Sequence, residues 1–223
     1  MMNTESLRHR IEQLDEEILA KLNARFRAVA QLRSADPAAD ESRGAALNDL
    51  EAVLRKLADR NEGPLPERTL RAVFTEIWSG AVAMAQPLRV AFLGPVATFT
   101  HQAAISAFGS GITYIDQPSI TDVFDAVSRQ EATYGVVPVE NSTEGSVTHT
   151  LDMFAETDLN ICAELNMPIH HTLLSQASKA DIDIVYSHPQ VMGQCRRWLH
   201  RNMPNAELVE VASTTDAAVR CTQ

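Results

Sequence analysis

The chain has 223 residues, 45% of them apolar and 22% charged, and a formal net charge of −10. That composition supplies ample material for packed cores, while its acidic balance argues against nucleic acid or anionic membrane as a partner. Cys162, Cys195 and Cys221 are too few and too scattered for a disulfide framework or a zinc site, and imply free thiols in the cytoplasm.

The charged start MMNTESLRHRIEQLDEE has no signal-peptide pattern. Leu7, Ile11, Leu14, Ile18 and Leu22 recur at spacings of four and three, which predicts a long amphipathic helix continuing through Val29 and Leu32. Asn3, Thr4 or Ser6 is placed to cap it. SADPAADESRGAA breaks the pattern, LNDLEAVLRKLADR predicts a second helix, and NEGPLP a turn. Pro66 suits the first turn of a third helix, whose predicted apolar face is Leu70, Val73, Phe74, Ile77, Ala81 and Met84. Three such helices cannot bury every stripe by themselves, so the pattern predicts a homodimer formed through the first helix.

At Pro87 the texture changes. LRVAFL, ITYI, YGVVPV, DIDIVYS and AELVEVA read as strands, and THQAAISAF, SITDVFDAVSRQ, PQVMGQCRRWLHRN and STTDAAVRC as helices. LNICAELNMPIHHTLLS reads as extended. Alternation of this kind predicts a mostly parallel α/β sheet, whose ligands sit at the carboxyl ends of strands. The last helix is followed by no strand, so the expectation is an incomplete second domain. The predicted domains are 1–86, all helical, and 88–223, α/β.

Three polar clusters fall at predicted strand ends. GPVATFT is either a strand, turn and helix cap or a pocket in which Thr98, Phe99 and Thr100 offer backbone N–H groups to a carboxylate or phosphate. ENSTEG contains Glu140, Asn141 and Ser142, where Glu140 is a proton donor, an orienting group or part of a solvated turn. In SHPQ, Ser187 ends a strand, Gln194 lies one helical turn past Gln190, and His188 is either a titrating group or a structural one. No nucleotide loop and no metal-ligand spacing is present, so no cofactor is expected. Arg8 and Arg25 stand 17 positions apart, about 25 Å along one helix. They are either solvated arginines or, across an antiparallel dimer, two halves of one dianion clamp.

GPVATFTHQAA, YGVVPVENSTEGSV, MPIHHTLL, YSHPQVMGQCRRWL and STTDAAV resemble the successive signatures of the prephenate dehydratase family. LRHRIEQLDEEILAKLNAR with NEGPLPERTLRAVFTEI resembles the helical chorismate mutase domain fused ahead of it in the bifunctional enzyme of phenylalanine biosynthesis. The resemblance implies a dimerising three-helix domain followed by a two-lobed α/β domain like the periplasmic binding proteins. It further implies prephenate as substrate, losing CO2 and water to give phenylpyruvate, and chorismate as the helical domain's substrate. It assigns catalytic roles to Glu140, Asn141 and Gln194, and substrate contacts to Thr98, Phe99, Thr100, Ser142, Ser187, Arg8 and Arg25.

Two departures bear on that assignment. The family usually has glycine where Ala97 stands, which is tolerable if the backbone there has negative φ. The family also continues to a Thr-Arg-Phe motif and a phenylalanine-sensing domain beyond this sequence, so little or no prephenate turnover is expected of the 223 residues. In the helical domain, a family lysine aligns with Asp36, an Arg-Glu pair with Asp49-Leu50, and a Gln or Glu with Ala85, with Arg33 or Arg43 as substitutes for the lost cations. Acid in place of a carboxylate-binding cation reverses the interaction, so a degenerate mutase fold kept for dimerisation is expected. The alternatives are a non-catalytic module binding an anionic metabolite, or an inactive fragment.

Overall fold

A computed structural model describes residues 3–35, 46–84, 88–141 and 145–222. Contacts divide the chain into two compact units, 1–139 with 147–165, and 140–146 with 166–223.

The first unit opens with three helices, α1 (Thr4–Ala35), α2 (Ala46–Asp59) and α3 (Glu67–Ala83). Asn3 caps α1, its Oδ1 accepting from the Glu5 N–H at 3.4 Å. No described residue of α1 is buried, and its stripe residues Leu7, Ile11, Leu14 and Ile18 are 48, 57, 40 and 56% exposed. The helices meet instead around Leu50, Leu54 and Leu70, all buried. Beside this core Glu51 accepts from both Arg71 and Arg55. Burial alone would raise the Glu51 carboxyl, but the hydrogen bonds and charges of Arg71 and Arg55 outweigh it and hold it below its usual value.

A carboxyl depressed on folding contributes stability above its unfolded value of about 4.3 and loses it as the pH falls through the folded value. Acid unfolding of the helical region should therefore shift to higher pH in Arg71→Ala. Circular dichroism followed from pH 6 to pH 2 reads the shift, and coincident curves would dismiss the pair's contribution.

α3 departs from expectation in its phase. Val73 and Met84 are 48 and 72% exposed, and the buried residues are Leu70, Thr75, Ser79 and Ala81. The cause is its neighbour, the Gly109–Gly111 backbone, which leaves room for small side chains only.

The sheet of this unit is β1 (Arg89–Leu93), β2 (Thr113–Gln117) and β3 (Tyr134–Val136), parallel throughout in the order β2-β1-β3. The central run Val90-Ala91-Phe92 is buried on both faces, as a strand between helical layers must be. Val90 and Phe92 point toward α4 (Phe99–Phe108), packing with Ala104, Phe108, Ile112 and Tyr134. Ala91 points the other way, toward α5 (Ile120–Ser128), packing with Val123, Ala126 and Ala132. A further helix, α6 (Thr148–Glu156), was not expected. It seats Met153 and Phe154 against Ile120 and Phe124, and the Thr150 hydroxyl donates to the Pro138 carbonyl at 2.7 Å.

The second unit holds a short antiparallel pair, β4 (Glu140–Asn141) with β5 (Gly145–Ser146). It also holds a parallel pair, β6 (Ile184–Ser187) with β7 (Glu207–Glu210). α7 (Pro189–Asn202) buries Met192 and Leu199 against Val185 and Met203, and α8 (Thr214–Arg220) follows, capped by Ser213. The architecture is thus a helical N-terminal part followed by α/β structure with separate parallel sheets. Among the described residues no helix is long and apolar enough to cross a membrane.

Candidate functional site

In the first unit the strand order makes β1 a switch point, with its neighbours approached in opposite directions, and ligands of open α/β sheets bind beyond such a strand's carboxyl end. The turn from β1 to α4 occupies that place. Gly94 passes so close to β2 that a Cβ there would lie 2.9 Å from the Asp116 Cβ, and its N–H donates to the Gln117 carbonyl at 2.9 Å. Thr98 is the N-cap of α4: its hydroxyl donates to the Leu93 carbonyl at 3.2 Å and accepts from the His101 N–H at 3.4 Å. The side chain of Thr98 is thereby engaged in holding the turn. What α4 offers a ligand is the N-terminal end of its dipole, at Phe99 and Thr100.

Ala97 adopts φ +69°, the left-handed region, so the condition under which a methyl is tolerated in place of the family's glycine is not met. Its N–H donates to Nδ1 of His101 at 3.1 Å, and His101 in turn stacks on Phe92 with ring centroids 4.5 Å apart. The turn is set by these contacts, and the alanine methyl carries the strain. Ala97→Gly should stabilise the protein by about 1 kcal/mol. Urea unfolding checks this, and a loss of stability would mean that the turn does not hold alanine in this conformation.

The second unit collects the other candidates. Glu140 and Asn141 form β4, Glu140 exposed and Asn141 half-buried. Ser187 ends β6, half-buried, its carbonyl accepting from the Val211 N–H at 3.0 Å. His188 caps α7, its Nδ1 accepting from the Gln190 N–H at 3.3 Å, which is a structural role. Gln194, one turn further on α7, accepts at Oε1 from Nε2 of His171 at 2.6 Å. His171 carries no role in the sequence reading. It comes from a segment without regular structure, and only the folded chain brings it to α7. Ser142 lies outside the described residues, as do Asp36, Arg43 and Ala85.

In the helical region Arg8 is exposed. Arg25 is half-buried, with its Nη1 enclosed and, among the described residues, without a hydrogen-bond partner. Arg33 donates from Nη1 to the Ala81 carbonyl at 3.0 Å, tying α1 to α3. Asp49 is exposed and Leu50 is only 4% exposed, within the helical core. Among the described residues no group of three metal-ligating side chains is gathered.

The prephenate dehydratase family profile matches residues 90–223, and that of chorismate mutase type II matches residues 7–86. A bifunctional chorismate mutase/prephenate dehydratase of Stutzerimonas stutzeri is 43% identical over 96% of this chain, and one of Pseudomonas aeruginosa is 42% identical over the same share. The chain spans 60% of the length of each of these two relatives. A solved prephenate dehydratase structure from Arthrobacter aurescens is 30% identical, covering 61% of this chain and 46% of that one, with a TM-score of 0.48.

Proposed function

Since the chain belongs to the prephenate dehydratase family, we propose that its α/β part serves phenylalanine biosynthesis by converting prephenate to phenylpyruvate. The observation that carries this reading is a capped helix N-terminus at the carboxyl end of the central strand β1, inside the matched residues. The ring carboxylate of prephenate leaves as CO2, its bonding pair enters the ring, and the ring hydroxyl departs after protonation as water. Aromatisation drives the step, so the protein has to fix two carboxylates and supply one proton. Phe99 and Thr100 hold one carboxylate against the dipole of α4, at the turn that Thr98 fixes by its bonds to Leu93 and His101. Glu140 supplies or orients the proton, and Asn141 and Gln194 donate from their amides, with Ser142 and Ser187 as hydroxyl contacts. No cofactor enters this chemistry, and the reading places the protein in the cytoplasm.

The helical region, residues 1–86, is read as a mutase-type dimerisation domain with weak or no chorismate chemistry. It retains an enclosed donor on Arg25 that has no partner among the described residues, and an antiparallel partner would bring a second arginine, Arg8, toward it. Against activity stands the Asp49-Leu50 pair. Where the family carries Arg-Glu, this chain has an exposed acid and a core leucine.

Intact mass from the source cell fixes the length of polypeptide to assay. That polypeptide is offered prephenate, and phenylpyruvate formation is followed. Gln194→Ala should reduce turnover by about 10²–10³, as loss of one positioned donor does. Undiminished turnover in Gln194→Ala and Glu140→Gln would overturn the assignment. Chorismate turnover at an ordinary enzymatic rate, abolished by Arg25→Ala, would overturn the reading of the helical region.

A further inference from the structure

α3 touches two different parts of the first unit through consecutive residues. On one side, a Cβ at Gly80 would stand 3.4 Å from the ring of Phe26 on α1. On the other, Ser79 is fully buried against the turn between α4 and β2. The Ser79 hydroxyl accepts from the Gly111 N–H at 2.9 Å. A Cβ at Gly109, which has φ +75°, would lie 2.6 Å from the Ser79 Cβ, and one at Gly111 would lie 3.1 Å from the Ser79 carbonyl oxygen. One turn earlier, the Glu76 carboxylate accepts from the Ser110 N–H at 3.1 Å and from its hydroxyl at 2.7 Å. Trp78, Val82 and Leu47 lie on the cluster formed by Leu88, Val90, Phe92 and Phe108.

Tyr114 closes the arrangement from the sheet side. Its hydroxyl donates to the Gly109 carbonyl, and burial, followed by the charge of Glu76, pushes its pKa well above the usual tyrosine value. Two backbone amides, a hydroxyl and an apolar cluster of the α/β structure therefore find their partners on a helix of the N-terminal region. A flexible tether between independent domains would leave those groups to water.

We propose that α3 is the docking partner of the α4–β2 turn, and that the helical region and the first sheet open as one cooperative unit. Glu76 and Ser79 are its positioning residues. They grip the C-terminal end of α4, the helix whose other end presents Thr98 to Thr100. By linkage, whatever binds the helical region shifts the stability of the sheet, and the reverse holds equally.

Native-state hydrogen exchange on the whole protein tests this without reference to any catalytic activity. In the wild type the slowest amides of α2 and of β1 should share one opening equilibrium. Glu76→Ala with Ser79→Ala should lower protection at β1 and β2 by about tenfold or more, since hydrogen bonds to a charged group and to a buried amide are lost. The exposed control Glu62→Ala should leave both regions unchanged. A milder cycle keeps the proposal falsifiable if the double variant fails to fold. With Glu76→Gln already present, Ser110→Ala should cost less protection than it does alone. Unchanged sheet protection in the double variant, or strictly additive effects in the cycle, would overturn the proposal.

Discussion

Phe92→Ala is expected to cost about 3–5 kcal/mol, the usual range for an aromatic side chain removed from a closed core. Phe92 is 1% exposed on the central strand, so no water fills the space it leaves without facing apolar walls. It also does more than fill volume. The ring of His101 stacks on it, Tyr114 meets it edge-on at 6.5 Å, and His101 receives the N–H of the left-handed Ala97. Removing the ring takes away the surface that orients His101, so the 94–98 turn should loosen together with the core. Guanidinium unfolding measures the first effect, and exchange of the Ala97 amide measures the second. A cost near 1 kcal/mol with a rigid turn would mean that Phe92 is not the platform described. Phe92→Leu, which keeps much of the apolar volume, should lose less stability and still loosen the turn.

The second large effect concerns assembly. α1 is 32 residues long, buries none of its described residues, and carries an apolar stripe along its length. If that stripe is the contact between two copies, Ile11→Glu with Ile18→Glu removes four isoleucine side chains from one dimer. At about 1.5 kcal/mol or more each, the loss is about 6 kcal/mol, or roughly four decades in Kd. Carboxylates brought to the same surface add to it. Sedimentation equilibrium should find a dimer for the wild type and a monomer for the double variant. Glu16→Lys, on the opposite side of the helix, serves as the control and should remain dimeric. A wild-type monomer at micromolar concentration, or equal masses for wild type and variant, removes the dimer from the account.

Much of the architecture can be read from periodicity because local pattern and tertiary burial agree. Pro189 to Asn202 forms a helix with the predicted limits, since a histidine cap, a first-turn proline and an apolar stripe coincide there. The same reasoning fails where burial follows a neighbour's shape. α3 turns Thr75 and Ser79 inward because two glycines of another element approach, and nothing in α3's own sequence signals that. α6 is short and rich in threonine, so its pattern is weak. Its stability comes from tertiary contacts, among them Met153 and Phe154 on Ile120 and Phe124, the His149–Thr121 bond and the Thr150 bond to Pro138.

The candidate site divides along the same line. The cap at Thr98 is written in local sequence. The left-handed Ala97 and the meeting of His171 with Gln194 depend on contacts four and 23 positions apart, respectively. Thr98 to Thr100 fall in the first compact unit, and Glu140, Asn141, Ser187 and Gln194 in the second. Their grouping around one substrate accordingly remains part of the proposal.

The closeness of Ser79 to Gly109 and Gly111 also limits how this lineage can drift. A side chain gained at 109 meets the Ser79 Cβ, which every residue but glycine keeps, and the positive φ there imposes a second veto that no change at 79 lifts. At 111 two of the three nearest atoms are the backbone carbonyl carbon and oxygen of Ser79, which any residue at 79 retains. Both glycines should thus stay fixed whatever stands at position 79.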